Sequence, residues 1–144
     1  MVDNYTKEDI EQINTLGILL NPKFKELFHI DNIPETENIL VSKKDEIITG
    51  FIHYSKIYEY IEIQNIIVDK KWRNQGIASN LLKTLIENNN DTTKLILEVN
   101  ENNKEARAFY KKHGFIEINR RPKYYKNGDA IIMEMILWKK MFTF

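Results

Sequence analysis

At 144 residues and 42% hydrophobic, the chain is long enough to bury one sizeable core and too short to suggest two domains. Its 21 basic and 21 acidic residues cancel to a net charge of +0, which describes a soluble surface without a strong field for nucleic acid or an anionic membrane. With no cysteine, neither a disulfide framework nor a covalent thioester on the protein is available.

Along the chain, Ile10, Ile13, Leu16, Gly17 and Leu20 fall at helical spacing behind Thr6, which can cap with Asp9, and predict a first helix over Lys7 to Leu20. Asn21-Pro22 predicts the start of a second, short helix, with Asn21 capping and Phe24, Leu27 and Phe28 on its apolar side. Glu37 to Ser42, Ile47 to Ser55 and Tyr58 to Val68 are rich in Ile, Val, Tyr and Phe and are separated by charged turns, which predicts three successive antiparallel strands. From Gly76 to Asn88, Ile77, Leu81, Leu82, Leu85 and Ile86 make one apolar helical stripe. Leu95 to Val99 returns as a strand, and a strand-helix-strand link of this kind is a right-handed crossover between parallel neighbours. Asn102-Asn103-Lys104-Glu105 then opens a helix, with a carboxylate at its third position, that stops at Gly114. Phe115 to Ile118 and Ala130 to Leu137 are expected to pair as a hairpin around a loop containing Asn127-Gly128.

Arg73-Asn74-Gln75-Gly76-Ile77-Ala78 sits where an apolar strand gives way to an amphipathic helix. The first N–H groups of a helix have no intrahelical acceptor, and the macrodipole adds partial positive charge, so a start with small residues such as Gly76 and Ala78 can cradle phosphate or pyrophosphate. The five glycines, Gly17, Gly50, Gly76, Gly114 and Gly128, do not make a P-loop or a dinucleotide fingerprint. A G-x-S-x-G elbow is absent, and His29, His53 and His113 lack metal-ligand spacing, so neither a serine hydrolase nor a bound metal is expected. Met1 to Ile10 carries acids and no apolar signal core, and no stretch approaches a membrane span, which makes the cytoplasm the expected compartment.

Four pieces, in order and at matching spacing, carry a resemblance: Gln64 to Val68, Arg73 to Ala78, Leu97-Glu98-Val99-Asn100, and Asn103 with Ala106 to Phe115. Together they resemble the acetyl-CoA-binding core of the GNAT N-acetyltransferases. Arg120 to Tyr125 followed by Asp129 to Met133 is similar to the branch of that family that acetylates the N-terminal alanine of a ribosomal protein. The resemblance implies a single mixed α/β domain over residues 1–144: a mostly antiparallel twisted sheet with one splayed parallel strand pair, flanked by about four helices. It also implies acetyl-CoA as cosubstrate, its pantetheine arm lying in the splay like an added strand.

On that resemblance Ile66, Ile67 and Val68 lend backbone groups to the cofactor, and Arg73, Asn74, Gln75, Gly76, Ile77, Ala78 and Ser79 hold its pyrophosphate. Asn103 matches a further cofactor contact; its ordinary role is helix capping, and one residue can do both. Glu98 corresponds to a general base acting directly or through water, and Tyr110 to the acid that protonates the departing thiolate. A main-chain N–H near Ile67 or Val68 is left for the oxyanion. Arg120, Arg121, Lys123, Tyr124 and Tyr125 precede the last hairpin turn, where Arg121, Tyr124 and Tyr125 are expected to line an acceptor channel that attracts a carboxylate-bearing substrate. The expected acceptor is a primary amine, either a protein N-terminus or a small molecule such as a polyamine, amino acid or antibiotic, and the protein is expected to be a monomer or homodimer. A non-catalytic acyl-CoA sensor is the rival reading.

Overall fold

The computed structural model describes residues 1–137, and the apolar tail at 141–144 lies outside them. Among the described residues seven strands take the order β1-β2-β3-β4-β5-β7-β6, mostly antiparallel with one parallel pair, and four α-helices accompany them. The chain divides into two compact units, Met1–Ser55 with Asn65–Asn89, and Lys56–Gln64 with Asn90 onward, and the long strand β4 (Tyr60–Val68) passes through both.

In the first unit β1 (Val2–Asn4) pairs with β2 (Glu37–Lys44), which pairs with β3 (Ile47–Ile57). The two-residue connection between β2 and β3, Asp45 and Glu46, has φ of 51° and 67°, the positive pair that a tight hairpin requires. One face of this sheet presents Ile39, Val41, Phe51 and Ile67 to α1 (Ile10–Leu20) and α2 (Phe24–Phe28), forming a core with Ile13, Leu16, Phe24 and Ile30. Burial of each such side chain contributes about 1.5–3 kcal/mol. Leu81, Leu82 and Leu85 of α3 (Ile77–Asn88) are buried, and that helix meets β1 and β2.

The first helix forms as expected, preceded by a 3-10 turn at Lys7–Asp9 whose capping box joins Thr6 and Asp9. Asp9 is buried, and although burial pushes its carboxyl up, Lys43 at 2.7 Å and the Thr6 N–H at 2.8 Å hold it below the usual value. The second helix starts later than Asn21-Pro22 suggests: Asn21 Oδ1 accepts from the Lys23 N–H at 3.0 Å in a turn that leads into Phe24. Strand β1 was not expected, since three residues with one apolar side chain carry no period to read.

In the second unit β5 (Lys94–Asn100) lies parallel to β4 and antiparallel to β7 (Gly128–Ile136), which pairs on its other side with the edge strand β6 (Ile116–Tyr125). The basic stretch Arg120 to Tyr125, expected to be a loop, belongs to β6. Its Pro122 is tolerated because an edge strand has one side free of ladder bonds, and the register shifts between Arg121 and Tyr125, where Lys123 has a φ of 55°. Helix α4 (Lys104–Lys112) ends at His113, and Gly114 with φ 99° turns the chain into β6.

Candidate active site

Beside the parallel pair the ladder is short. It joins Tyr60–Ile63 of β4 to Lys94–Leu97 of β5 and ends one residue before Gln64 and Glu98, while β5 continues to Asn100 against β7. The parallel partners begin together and their pairing stops midway along both strands.

In the first unit, the last residues of β4, Ile66, Ile67 and Val68, lead through a 3-10 turn at Lys70–Trp72 to the start of α3. Arg73 turns back, its Nε donating to the Val68 carbonyl at 3.2 Å, so its side chain closes the strand exit. Asn74 and Gly76 both have positive φ, 63° and 78°, flanking Gln75. Gly76 is the N-cap residue of α3 and no side chain caps the helix; a Cβ built on Gly76 meets nothing within 4 Å. The opening turn, Ile77, Ala78 and Ser79, therefore starts beside open space, and it fits an anionic ligand such as pyrophosphate.

Gly50 of β3 is a positioning residue that the sequence reading overlooked. A Cβ there would lie 2.8 Å from the Ile67 carbonyl oxygen and 3.2 Å from Val68 Cγ2 and Ile77 Cγ2, so its bare backbone admits both the end of β4 and the first residue of α3. An isolated glycine inside a strand pattern is the signal that marks such a close approach.

In the second unit, strand alternation turns Leu95, Leu97 and Val99 inward and Glu98 outward. Glu98 lies opposite Ile132 and Arg121 opposite Ala130, so both face the same way on a diagonal across β7. The long guanidinium closes the gap: Arg121 Nη2 stands 3.0 Å from Glu98 Oε1, with the Glu98 side chain 30% exposed. Arg121 also sits over the Tyr124 ring at 5.6 Å, and Tyr124 packs edge-on against Tyr125 at 5.0 Å. Burial first, then the Glu98 carboxylate, raises the Tyr125 phenol above its ordinary value, so it stays a neutral hydrogen-bond donor. Glu98, Arg121, Tyr124 and Tyr125 are thus brought into one group, whereas Arg120 is tied to Glu101 at 3.1 Å and Asp129 at 2.8 Å and takes no part in it.

Tyr110 belongs to a separate aromatic group, edge-on to Phe109 at 5.5 Å and to Phe115 at 5.4 Å. It is 6% exposed, and burial pushes its phenol well above the ordinary value, which keeps the proton on oxygen. Asn103 caps the helix that carries it: Oδ1 accepts from the Ala106 N–H at 3.1 Å. With the cap at Asn103, Glu105 falls at the second helical position, and the expected carboxylate at the third does not arise. Asn100 and Asn102 bind Asn127, and Glu101 accepts from the Asp129 N–H, so the β5–α4 connection clamps the hairpin that bears Arg121.

A family model of the acetyltransferase (GNAT) domain matches residues 2–137. The chain belongs to the GNAT acetyltransferases. This GNAT chain is 36% identical over 97 residues to an uncharacterized N-acetyltransferase of Methanocaldococcus jannaschii, covering 65% of the chain and 62% of that protein. It is 33% identical over 87 residues to human N-alpha-acetyltransferase 30, covering 58% of the chain and 24% of that protein. In both cases less than two thirds of the relative is spanned. Among solved structures, the ribosomal-protein-alanine N-acetyltransferase of Escherichia coli superposes with a TM-score of 0.85 at 24% identity, covering 95% of this chain and 93% of that one, a likeness of fold. A GNAT family acetyltransferase from Elizabethkingia anophelis with acetyl-CoA bound gives a TM-score of 0.78 at 25% identity, over 95% and 97% of the two chains. Among the described residues no helix is long and apolar enough to cross a membrane.

Proposed function

We propose that the chain works as one acetyltransferase domain that passes an acetyl group from acetyl-CoA directly to a primary amine. The observation that carries this reading is the start of α3, where a left-handed Gly76 without a side-chain cap opens onto empty space in a chain of this family. Main-chain groups of Ile66 to Val68 and of Asn74 to Ser79 hold the cosubstrate, with Arg73 bracing the strand exit and the Asn103 amide adding a contact. When bound, acetyl-CoA supplies the acyl group as an activated thioester.

Glu98 takes a proton from the amine after the acceptor draws Arg121 off its carboxylate, and the nitrogen lone pair is then free to form the new N–C bond. Tyr110 gives its phenolic proton to the sulfur as the C–S bond breaks, the proton that the attacking nitrogen still holds in excess leaves to water, and Glu98 and the Tyr110 phenolate return to their starting states by exchange with solvent. A main-chain N–H at Ile67 or Val68 faces the developing oxyanion. Similarity to N-alpha-acetyltransferase 30 favours a protein N-terminus as acceptor, with Arg121, Tyr124 and Tyr125 around it.

Glu98→Gln is expected to lower kcat by about 100- to 10,000-fold, the usual worth of a positioned base, while calorimetry gives an unchanged acetyl-CoA affinity. A variant as fast as the parent would remove Glu98 from the chemistry, whereas acetyl-CoA binding by the parent with no turnover of any amine would favour a sensor. Turnover of small amines such as spermidine, with none on peptides bearing a free N-terminus, would move the acceptor to the small-molecule class.

A further inference from the structure

His53 lies in the middle of β3, 1% exposed, in a part of the first unit that the acetyl-transfer chemistry above does not use. Its Nε2 is 2.6 Å from Glu37 Oε1 of β2, its Nδ1 is 3.4 Å from Asn65 Nδ2 of β4, and the Phe28 ring of α2 meets it edge-on at 5.8 Å. Glu37 is the one titratable group these neighbours present; Asn65 and Phe28 are neutral.

The chemistry of the three groups gives the chain of hydrogen bonds a direction. A carboxylate only accepts, so Nε2 carries the hydrogen and donates it to Glu37. Nδ1 is then a bare lone pair, and it accepts from the Asn65 amide N–H. That bond consumes the donor end of the amide and fixes which way it points, leaving the Asn65 carbonyl oxygen with no partner among the described residues. Asn65 is only half-buried and stands one residue before Ile66. Burial outweighs the pull of Glu37 and lowers the His53 pKa, which favours this neutral form.

We propose that Asn65 accepts a hydrogen from the acceptor's primary amine through its carbonyl oxygen, and that His53 and Glu37 are positioning residues that hold this oxygen outward. The assignment rests on the acetyltransferase reading and adds to it a specific contact for the amine. Protonating His53 would give Nδ1 a hydrogen, turn the Asn65 amide over and present its NH2 to the amine, donor against donor.

Two measurements test this, and the first does not depend on turnover. Nitrogen-15 NMR of the histidine rings should find His53 neutral at pH 7 with the hydrogen on Nε2, and Asn65→Asp should convert it to the doubly protonated ring, since carboxylates then face both nitrogens. A doubly protonated or Nδ1–H ring in the parent protein would overturn the proposal.

The second is steady-state kinetics with a hexapeptide carrying a free N-terminal alanine and with spermidine, using whichever is acetylated. Asn65→Ala should raise the KM for that acceptor about 10-fold while leaving acetyl-CoA affinity within about 2-fold, which corresponds to about 1.4 kcal/mol lost from the amine contact alone. Asn65→Ser, a smaller perturbation of β4, should give the same split. An unchanged acceptor KM in both, or an equal loss of acetyl-CoA affinity, would overturn the amine contact. Should the parent acetylate neither probe, the acetyltransferase reading itself is in question, and the ring measurement still decides the hydrogen-bond direction.

Discussion

Helices α3 and α4 both follow a strand of the parallel pair, yet their first turns are finished in opposite ways. At α4 the Asn103 side chain accepts from the Ala106 N–H, Arg107 donates to the Glu101 carbonyl at 2.8 Å, and the neighbouring loop clamps the β6–β7 hairpin. At α3 the corresponding residue is Gly76, with positive φ, no capping side chain and nothing within 4 Å of where a Cβ would stand. A helix start that the protein satisfies itself contributes stability; one left to be satisfied from outside is a place for a ligand. On the proposed function, one start holds the helix of Tyr110 in place, and the other keeps its donors for an anion.

Between the two helices, the larger expected effect lies on the capped one. Tyr110→Phe should reduce kcat about 100-fold with acetyl-CoA affinity and folding unchanged, measured by stopped-flow thiol release on a good acceptor. A rate equal to the parent's would make Tyr110 packing only. Because burial raises its pKa, Tyr110 adds stability that is full below the ordinary tyrosine value of about 10 and is lost as pH rises from there through the folded value. An alkaline fall in rate below that pH has to come from another group.

Next in size is a change that makes the open start resemble the capped one. Gly76→Asp puts a negative charge and a side-chain acceptor at the α3 N-terminus and should weaken acetyl-CoA binding by about 30- to 100-fold, about 2–2.7 kcal/mol by calorimetry. Gly76→Ala separates charge from conformation, since a Cβ meets no atom but has to sit at φ 78°; the strain, about 1–2 kcal/mol, should appear in thermal stability more than in binding. If Gly76→Asp binds acetyl-CoA as tightly as the parent, the contrast between the two helix starts has no functional content.

The smallest effects come from the cap itself. Asn103→Ala removes the acceptor for Ala106 and should cost about 1 kcal/mol of stability in denaturant unfolding. Asn103→Asp keeps an acceptor oxygen and replaces the amide donor, so stability should hold while acetyl-CoA affinity falls a few-fold. Equal affinity in Asn103→Asp and the parent would assign Asn103 to capping alone.

Much of this was legible in one dimension, because periodicity and capping are local. The stripe of Ile77, Leu81, Leu82 and Leu85, the short apolar run to Val99 and the turn signals at Gly76 and Gly114 depend on residues a few positions apart, and they were enough for the parallel crossover and for the family resemblance. The basic stretch Arg120 to Tyr125 was misread as a loop, since charge and Pro122 speak against a strand everywhere except at a sheet edge, and being at an edge is a property of the whole sheet. What only the tertiary structure decided are the pairings between residues far apart in the chain. Arg121 meets Glu98 through a register carried across β7, Gly50 makes room for Ile67 and Ile77, and His53 joins Glu37 to Asn65. Such contacts arise when strands align and side chains reach across them, and neighbouring letters in a sequence hold no record of that distance.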